Sequence, residues 1–295
     1  MPSSQIEMLW RRQPMIPVAL NNTDMAFQFD LIKAFISTIM SERFSDITAK
    51  PDAPFLSAGF GVGKLCNTCE ATSGNVSFKD GEAVKAFTAF MTEVEKLKRY
   101  GFTESEVARA KDNIIQHYEK AAEGAATRKN AEFVRPLINN FFFNDPYMTP
   151  ENELQLVQGM CGMFNAQILN QILPMFLQET NVLILYNGPE KEGLVNPTKE
   201  ELAQAYASVK TAEIAPNVEE STNEPLLDAA ALKGSKVKKE KKTLYGATEW
   251  TLKNGVKVTY YTLNCKNYDG KQRNILFYDK DKNLVKFPND VYKII

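Results

Sequence analysis

Hydrolytic sites often depend on histidine, and this sequence contains one, His117, in the segment Gln116-His117-Tyr118-Glu119-Lys120. A catalytic zinc ion needs three protein ligands and one open position for water, so His117 would have to be joined by carboxylates or thiolates in an unfamiliar arrangement. A Ser/His/Asp triad would also need His117, but no G-x-S-x-G nucleophile elbow accompanies it. We therefore predict that His117 is a polar residue on a helix surface, and that the chain carries no catalytic residue and no metal ligand.

A single C-x-x-C motif, Cys66-Asn67-Thr68-Cys69, is the second group with chemical potential. Such a pair is compatible with half of a zinc site or with a redox dithiol. A structural zinc site would need two more ligands, which Cys161 and Cys265 would have to supply. We favour two ordinary thiols in a β segment, and strand periodicity predicts that Cys69 lies on the opposite face from Cys66. Four scattered cysteines do not indicate a disulfide scaffold.

A basic run, Lys236–Lys242, is the strongest local concentration of charge. Basic runs of this length can bind nucleic acid or an anionic surface. This run has no interleaved aromatic residues, and the chain as a whole is nearly neutral, with 35 basic and 36 acidic residues. We therefore expect a solvated segment and no nucleic-acid partner.

Composition and hydropathy restrict the class of protein. Hydrophobic residues make up 44% of the chain and charged residues 24%, which is typical of globular domains. No apolar run approaches the ~20 residues that a membrane span needs, and Met1–Arg12 lacks the apolar core and cleavage site of a secretory signal. The expectation is a chain without a membrane span, and a cytoplasmic one unless Met1 is not the start of a natural exported chain.

The elements that would position these residues follow from hydrophobic periodicity and turn signals. Residues 1–22 contain several prolines and are expected to be irregular. The later patterns predict helices at 24–43, 82–99, 104–133, 151–158, 165–178 and 198–210, short strands within 55–79 and a buried strand at 181–187. Thr103–Glu106 and Thr198–Glu201 are predicted to be capping boxes, which start a helix by reciprocal threonine and glutamate hydrogen bonds.

The composition changes after residue 210. Residues 211–245 contain few large apolar side chains, and we predict a linker there between a domain at 1–210 and a β-hairpin segment at 246–295. Asn254-Gly255 predicts a hairpin with a type I′ turn, and a second hairpin is expected from Ile275–Tyr278 and Leu284–Phe287. The order of elements indicates an α+β fold, a two-layer antiparallel sheet with helices packed on one face.

The order and spacing of several short segments resemble the inactive domain that follows the catalytic domain in pitrilysin/insulinase-type zinc peptidases. The segments that carry the resemblance are Ser41–Phe44, Pro51–Phe55, Tyr100–Glu106, Asn187–Glu190, Pro197–Glu201 and Glu249–Val258. The resemblance implies a metallohydrolase-like fold of the mitochondrial processing peptidase type. Residues 1–210 would be the second domain of a first half, and 246–261 would begin the second half; from about Asn264 the likeness is lost.

The resemblance also implies zinc chemistry in the family, where a His-x-x-Glu-His helix supplies two ligands and a general base. This chain lacks that motif, so the expected role is a non-catalytic scaffold or chamber wall with no zinc or other cofactor of its own. The expected partner is a catalytic peptidase domain or subunit, with peptide as a candidate ligand. Two alternatives stay open: a subunit that completes an active site shared with a separate catalytic chain, and a module that binds peptides or a partner through a sheet edge.

Four residues are candidates for contact with a peptide or partner: Arg43, Phe55, Arg128 and Arg135. In the resembled family an arginine and a tyrosine hold the substrate backbone. Here the related stretch runs from Arg43 to Phe55, where phenylalanine lacks the tyrosine hydroxyl. We favour the interpretation that Arg43 is a cation that compensates the dipole at a helix carboxyl end. The aromatic run Phe141–Phe143 is interpreted either as a contact with a missing partner domain or as a buried helix end.

Overall fold

The computed structural model describes residues 4–217, 234–243 and 247–260, together with two short strands at 277–278 and 284–285. The chain divides into two compact units, Met1–Ser221 and Thr222–Ile295. Both units contain antiparallel β-structure, and the described part of unit 1 adds seven α-helices. The predicted α+β class is therefore confirmed. Among the described helices, none combines the length and the apolar character that crossing a bilayer requires.

Unit 1 is built on a sheet of four antiparallel strands: β1 (Ser4–Arg12), β2 (Ser57–Cys66), β3 (Cys69–Phe78) and β4 (Val182–Asn187). Their order is β2-β3-β1-β4, so β1 lies inside the sheet and pairs with both β3 and β4. The prediction that residues 1–22 are irregular is wrong for β1. Its alternate residues Ile6, Met8 and Trp10 are buried, a period-2 pattern that the flanking prolines obscured.

Outside the predicted helix 104–133, the helices of unit 1 begin within one residue of the predicted positions and end within five. They are α1 (Asp24–Thr48), α2 (Ala83–Tyr100), α3 (Glu104–Glu123), α4 (Asn130–Phe143), α5 (Pro150–Cys161), α6 (Ala166–Phe176) and α7 (Lys199–Thr211). Thr23 caps α1, and both predicted capping boxes are present at the starts of α3 and α7. Local side-chain chemistry therefore sets these boundaries.

One predicted helix is two helices. The pattern favoured a single helix over 104–133, but α3 ends at Glu123 and a 3-10 turn, Ala125–Thr127, precedes α4. Gly124 ends α3, and Arg128 and Lys129 adopt extended backbone. The prediction failed because the apolar periodicity continues across Gly124, whereas glycine in a helix costs about 1 kcal/mol relative to alanine.

The core of unit 1 lies between one face of the sheet and the helices. Trp10 meets Phe60 edge-to-face at a centroid distance of 6.3 Å, and Phe44 of α1 stacks on Phe90 of α2 at 5.4 Å. Gly74 of β3 is needed here, because a Cβ atom at this position would lie 2.3 Å from the Phe90 ring. On the opposite face of the sheet, Glu7 is exposed, in agreement with helices on one face.

The segment 181–187 forms a strand, but the prediction of a buried strand is wrong. β4 lies at the edge of the sheet, and its Val182 and Leu185 side chains are exposed. An apolar run bounded by turn residues does not distinguish a central strand from an edge strand.

Unit 2 contains the antiparallel strands β5 (Val237–Lys242), β6 (Thr248–Leu252) and β7 (Lys257–Tyr260) in that order. The side chains of β5 are exposed, as expected, but β5 is a strand within the range predicted to be a linker. The boundaries of that linker otherwise stay a prediction. β8 (Phe277–Tyr278) and β9 (Leu284–Val285) pair where the second hairpin was predicted, and its other residues lie outside the described part.

The predicted type I′ turn between β6 and β7 is wrong. Leu252 N donates to Val256 O at 2.8 Å, and Gly255 N donates to Leu252 O at 3.0 Å, which defines a three-residue loop. Within this loop the positive φ is that of Gly255, +89°. This is a type I turn followed by a glycine bulge, since a type I′ turn would need two residues with positive φ.

A buried ion pair joins α1 to the start of α3. Arg43 donates to both carboxylate oxygens of Glu106, at 2.7 and 2.9 Å, and to Gly101 O at 2.8 Å. Glu106 is also the glutamate of the capping box, and it accepts from Thr103 N at 2.9 Å. Burial alone would raise the pKa of Glu106, but the hydrogen bonds and the charge of Arg43 outweigh burial and lower that pKa.

We predict that Arg43→Leu lowers the free energy of unfolding by about 3 kcal/mol, because it leaves the Glu106 carboxylate buried without its cation. The matched control is Arg109→Leu, which breaks the exposed pair with Glu42 and should change stability by no more than about 0.5 kcal/mol. Urea unfolding measures both values. Equal losses in the two variants would contradict a special role for the buried pair.

A second network ties α2 and α7 to the sheet through Glu179. Its carboxylate accepts from Lys98, Lys210 and the Tyr206 hydroxyl, and that hydroxyl accepts from Trp10 Nε1 at 3.0 Å. Burial alone would raise the pKa of Glu179, but the hydrogen bonds from Lys210, Lys98 and Tyr206 lower it from 4.5 to about 2. Burial and the nearby Glu179 charge raise the pKa of Tyr206.

Because the pKa of Glu179 is lower in the folded chain, its contribution to stability is complete above pH 4.5 and is lost as the pH falls through about 2. We predict that the difference in unfolding free energy between the wild type and Glu179→Gln shrinks over this range. Unfolding midpoints in urea at several pH values give that difference, with the same substitution at exposed Glu7 as the control. A difference that stays constant down to pH 2 would show that Glu179 is not held by these cations.

Candidate partner-binding surface

Helix α4 differs from the other helices of unit 1 because none of its residues is buried. Its exposed large apolar residues follow the spacing i, i+3, i+4, i+7, i+8, and they lie on one side of the helix. We define the α4 apolar surface by five residues and their exposed fractions: Val134 (51%), Leu137 (49%), Ile138 (48%), Phe141 (81%) and Phe142 (60%). At 100° per residue they cover an arc of about 140°, as wide as a stripe that normally faces a core.

The carboxyl end of α4 fixes the helix to the rest of unit 1. Asn144 adopts a left-handed backbone (φ 53°, ψ 30°), and its side chain donates to Val18 O and Ala19 O at 3.1 and 3.2 Å. Asn21 Nδ2 donates to Phe143 O at 2.7 Å, and Lys64 Nζ lies 5.4 Å from the centre of the Phe143 ring. Phe143 therefore faces the unit, while the α4 apolar surface is left open.

This arrangement decides between the two interpretations of Phe141–Phe143. The buried helix end is wrong for Phe141 and Phe142, which meet edge-to-face at 5.0 Å and are both mostly exposed. An exposed aromatic pair next to further apolar side chains is typical of an interaction surface. The remaining interpretation, a contact with a partner, stays a prediction.

Two of the four predicted contact residues lie at α4. Arg135 is exposed at the border of the apolar surface. Arg128 precedes the helix, and its guanidinium lies 4.2 Å from the centre of the Phe133 ring. Burial raises the pKa of the nearby Glu153 carboxyl, and the charge of Arg128 partly offsets this. The amino end of α4 thus carries positive charge beside apolar side chains.

The other two predicted contact residues do not reach the surface. Arg43 is 8% exposed and lies within α1, before its last turn, where it is paired with Glu106. Phe55 is 3% exposed and meets Phe44 edge-to-face at 6.0 Å. Both side chains are therefore largely removed from solvent, and their contact with a peptide or partner stays a prediction. Arg43 is also not a cation at the helix carboxyl end, because α1 continues to Thr48.

His117 lies exposed on α3, with its ring edge-to-face to Tyr118 at 5.6 Å. The prediction of a polar residue on a helix surface is confirmed. Within the described residues, the histidine, cysteine and acidic side chains form no group of three or more that could hold a metal ion.

The C-x-x-C motif occupies the tip of the β2–β3 hairpin. Cys66 is the last residue of β2, Cys69 is the first residue of β3, and the two are paired across a two-residue turn. The prediction that Cys69 points away from Cys66 is therefore wrong, because strand alternation does not continue through a turn. Cys66 is exposed, whereas Cys161 is buried in the core.

A cavity of about 300 Å³ lies between the end of α2 and α6, with Leu97, Tyr100 and Leu173 in its wall. Asn170 at this cavity is already satisfied, because it bonds both the N–H and the C=O of Phe102 at 2.8 and 2.9 Å. The wall of this cavity combines apolar side chains with Lys98, Arg99 and Tyr100, and it contains no carboxylate, histidine or cysteine among the described residues.

Comparison with known proteins shows similarity in fold but little similarity in sequence. No protein-family model and no curated protein matches the sequence. The structure is similar to the periplasmic protease PqqL from Escherichia coli, with a TM-score of 0.66 and 17% identity over 88% of this chain and 28% of that chain. The first half of the same protease gives a TM-score of 0.64 and 16% identity over 74% of this chain and 46% of that one.

A predicted insulinase family protease from Yersinia pestis is also similar, with a TM-score of 0.55 and 15% identity over 70% of this chain and 44% of that chain. The chain therefore spans less than half the length of each of these proteins. At such low identity the likeness concerns the fold and carries no catalytic residue across. The chain has the fold of the pitrilysin/insulinase-type proteases.

Proposed function

We propose that this chain is a non-catalytic domain that packs against a catalytic zinc-peptidase domain or subunit and forms part of the wall around bound peptides. The observation that carries the proposal is the α4 apolar surface. This stripe has the width and the apolar composition of a helix face that normally packs against a core. Within the described residues, no element of unit 1 buries it. Surfaces of this kind are usually covered by another domain or chain.

The size of the α4 apolar surface indicates how much free energy it can contribute to association with a partner. Burying a large apolar side chain completely is worth roughly 1.5–3 kcal/mol, and these five side chains are about half exposed or more. Covering them would give on the order of 5 kcal/mol before the entropic cost of association, which is of similar size. The α4 apolar surface is therefore proposed as the centre of a larger interface, and not as the whole of it.

The non-catalytic part of the proposal rests on composition. A His-x-x-Glu-His helix needs two histidines, and the sequence contains one. This chain covers less than half of each of the peptidases whose fold it resembles. This leaves room for a separate catalytic domain, and such a domain is the partner that we propose for α4.

Two other roles have specific observations in their favour. Arg135 is exposed beside the α4 apolar surface, so it could enter an active site shared with the catalytic chain. β4 is an edge strand with exposed Val182 and Leu185, so an extended peptide could add to it as a further strand. These roles predict different consequences for the experiment below.

The experiment is co-expression of the full chain with a His-x-x-Glu-His peptidase domain from the same organism, followed by co-purification and titration. We expect the wild type to form a complex, and the double variant Leu137→Ser, Phe141→Ser to bind at least about tenfold more weakly because it loses the apolar contact. The control is Val195→Ser, which changes an 86% exposed apolar residue outside α4 and should bind like the wild type. Unfolding free energies should agree within about 0.5 kcal/mol for all three proteins.

Wild-type affinity in the double variant would contradict the assignment of α4 as the interface. If Arg135→Ala instead lowers kcat of an intact complex, the shared active site is favoured over a passive wall. Binding that persists in the double variant but is displaced by extended peptides would favour the β4 edge.

A further inference from the structure

The tip of the β2–β3 hairpin brings two thiols together, and the proposed function does not use them. Cys66 and Cys69 flank the turn residues Asn67 and Thr68 and are opposite each other in the strand register. The first and last residues of a β-turn have Cα atoms within about 7 Å, and opposite residues of an antiparallel pair have Cβ atoms about 4.5–5.5 Å apart. A disulfide needs a Cβ separation of about 3.5–4.5 Å, so a small adjustment of this tip closes the bond.

The two thiols differ in accessibility. Cys66 is exposed and Cys69 is half-buried. The Cys66 sulfur lies 3.4 Å from the Thr68 hydroxyl, and hydrogen bonding to that side chain lowers the pKa of Cys66. A thiol that is both exposed and more easily deprotonated is the one that attacks first.

A shallow cleft lies beside the turn, on the side of Thr68 and Cys69. It has a volume of about 340 Å³ and is lined by Arg11, Arg12, Gln13, Thr68, Cys69 and Asn181. Arg11 is exposed there, so the cleft favours an anionic ligand. A metal site is the weaker interpretation, because structural zinc needs four ligands. Within the described residues, no histidine, further cysteine or acidic side chain lies close enough to the two thiols to act as a third ligand.

We propose that Cys66 and Cys69 form a redox-active dithiol that closes to an intramolecular disulfide by exchange with small anionic disulfides. The Cys66 thiolate attacks one sulfur of the disulfide, whose S–S bond breaks and releases one thiol. Cys69 then attacks the Cys66 sulfur of the mixed disulfide and releases the second thiol. The dithiol loses two electrons and two protons, and the small disulfide gains both to become two thiols.

The test uses the full chain with Cys265→Ser, because Cys265 lies outside the described residues and would complicate the thiol count. The reduced protein is treated with oxidised glutathione, quenched by alkylation and analysed by intact mass and peptide mapping. We expect a Cys66–Cys69 disulfide with Cys161 still reduced. Adding Cys69→Ser should instead trap one glutathione on Cys66, because the resolving thiol is absent.

Two matched comparisons examine the proposed features. Thr68→Val keeps the side-chain shape but removes the hydroxyl, and it should slow the first step several-fold without changing the product. Cystamine, a cationic disulfide, should react more slowly than oxidised glutathione, and Arg11→Gln should reduce that difference.

A wild-type protein that accumulates glutathione on Cys66 without closing the bond would overturn the proposal, because Cys69 would then be out of reach. Equal labelling of Cys161 and Cys66 would also overturn it. Neither result depends on a partner domain, so this proposal and the proposed function can fail separately.

Discussion

A guanidinium in the core of unit 1 restricts how the surrounding helices can be arranged. Arg43 is buried, so it must keep its carboxylate and carbonyl partners beside it, since an unpaired buried charge costs several kcal/mol. Those partners, Glu106 and Gly101 O, lie at the junction between α2 and α3. Gly101 turns the chain there with φ +68°, and Glu106 serves both the ion pair and the capping box. One contact therefore fixes α1 against the point where α3 begins.

Local signals in the sequence were sufficient for some of these features. The capping boxes at Thr103 and Thr198 depend on residues within one turn of the helix boundary, so they could be predicted without knowledge of tertiary contacts. The partner of Arg43 is Glu106, far along the chain, and the sequence offered no local sign of it. β1 was missed because the flanking prolines obscured its alternating pattern, and because its pairing partners lie far along the chain at β3 and β4.

The candidate surface was predicted in part. The sequence showed Phe141–Phe143 as an unusual run of three aromatic residues. Their exposure could not be predicted, because they belong to a separate helix, α4, that begins after α3 has ended. Apolar periodicity alone predicted one helix that continued through Gly124. The prediction for the cysteines failed in a similar way. Cys66 and Cys69 lie opposite each other because a two-residue turn joins them, and strand alternation does not apply across a turn. Both features arise where the chain changes direction, and periodicity is least informative there.

The fold of this chain does not by itself specify a chemical reaction. The backbone follows a protease fold, yet the sequence carries one histidine, and that histidine lies exposed on α3 without a group of metal ligands around it in the described residues. What the described structure offers instead is an apolar helix face at α4 and a buried polar framework that holds the helices in place. These properties suit a domain that is held against another one, and chemistry would then come from the partner.

The most direct test is the zinc content of the purified full chain, measured by elemental analysis on protein that has not been exposed to a chelator. The same protein is assayed for hydrolysis of unfolded peptides. A non-catalytic domain predicts less than about a tenth of an equivalent of zinc and no zinc-dependent hydrolysis. Stoichiometric zinc accompanied by zinc-dependent peptide cleavage would contradict the proposed role and would assign a metal site to His117 or the cysteines.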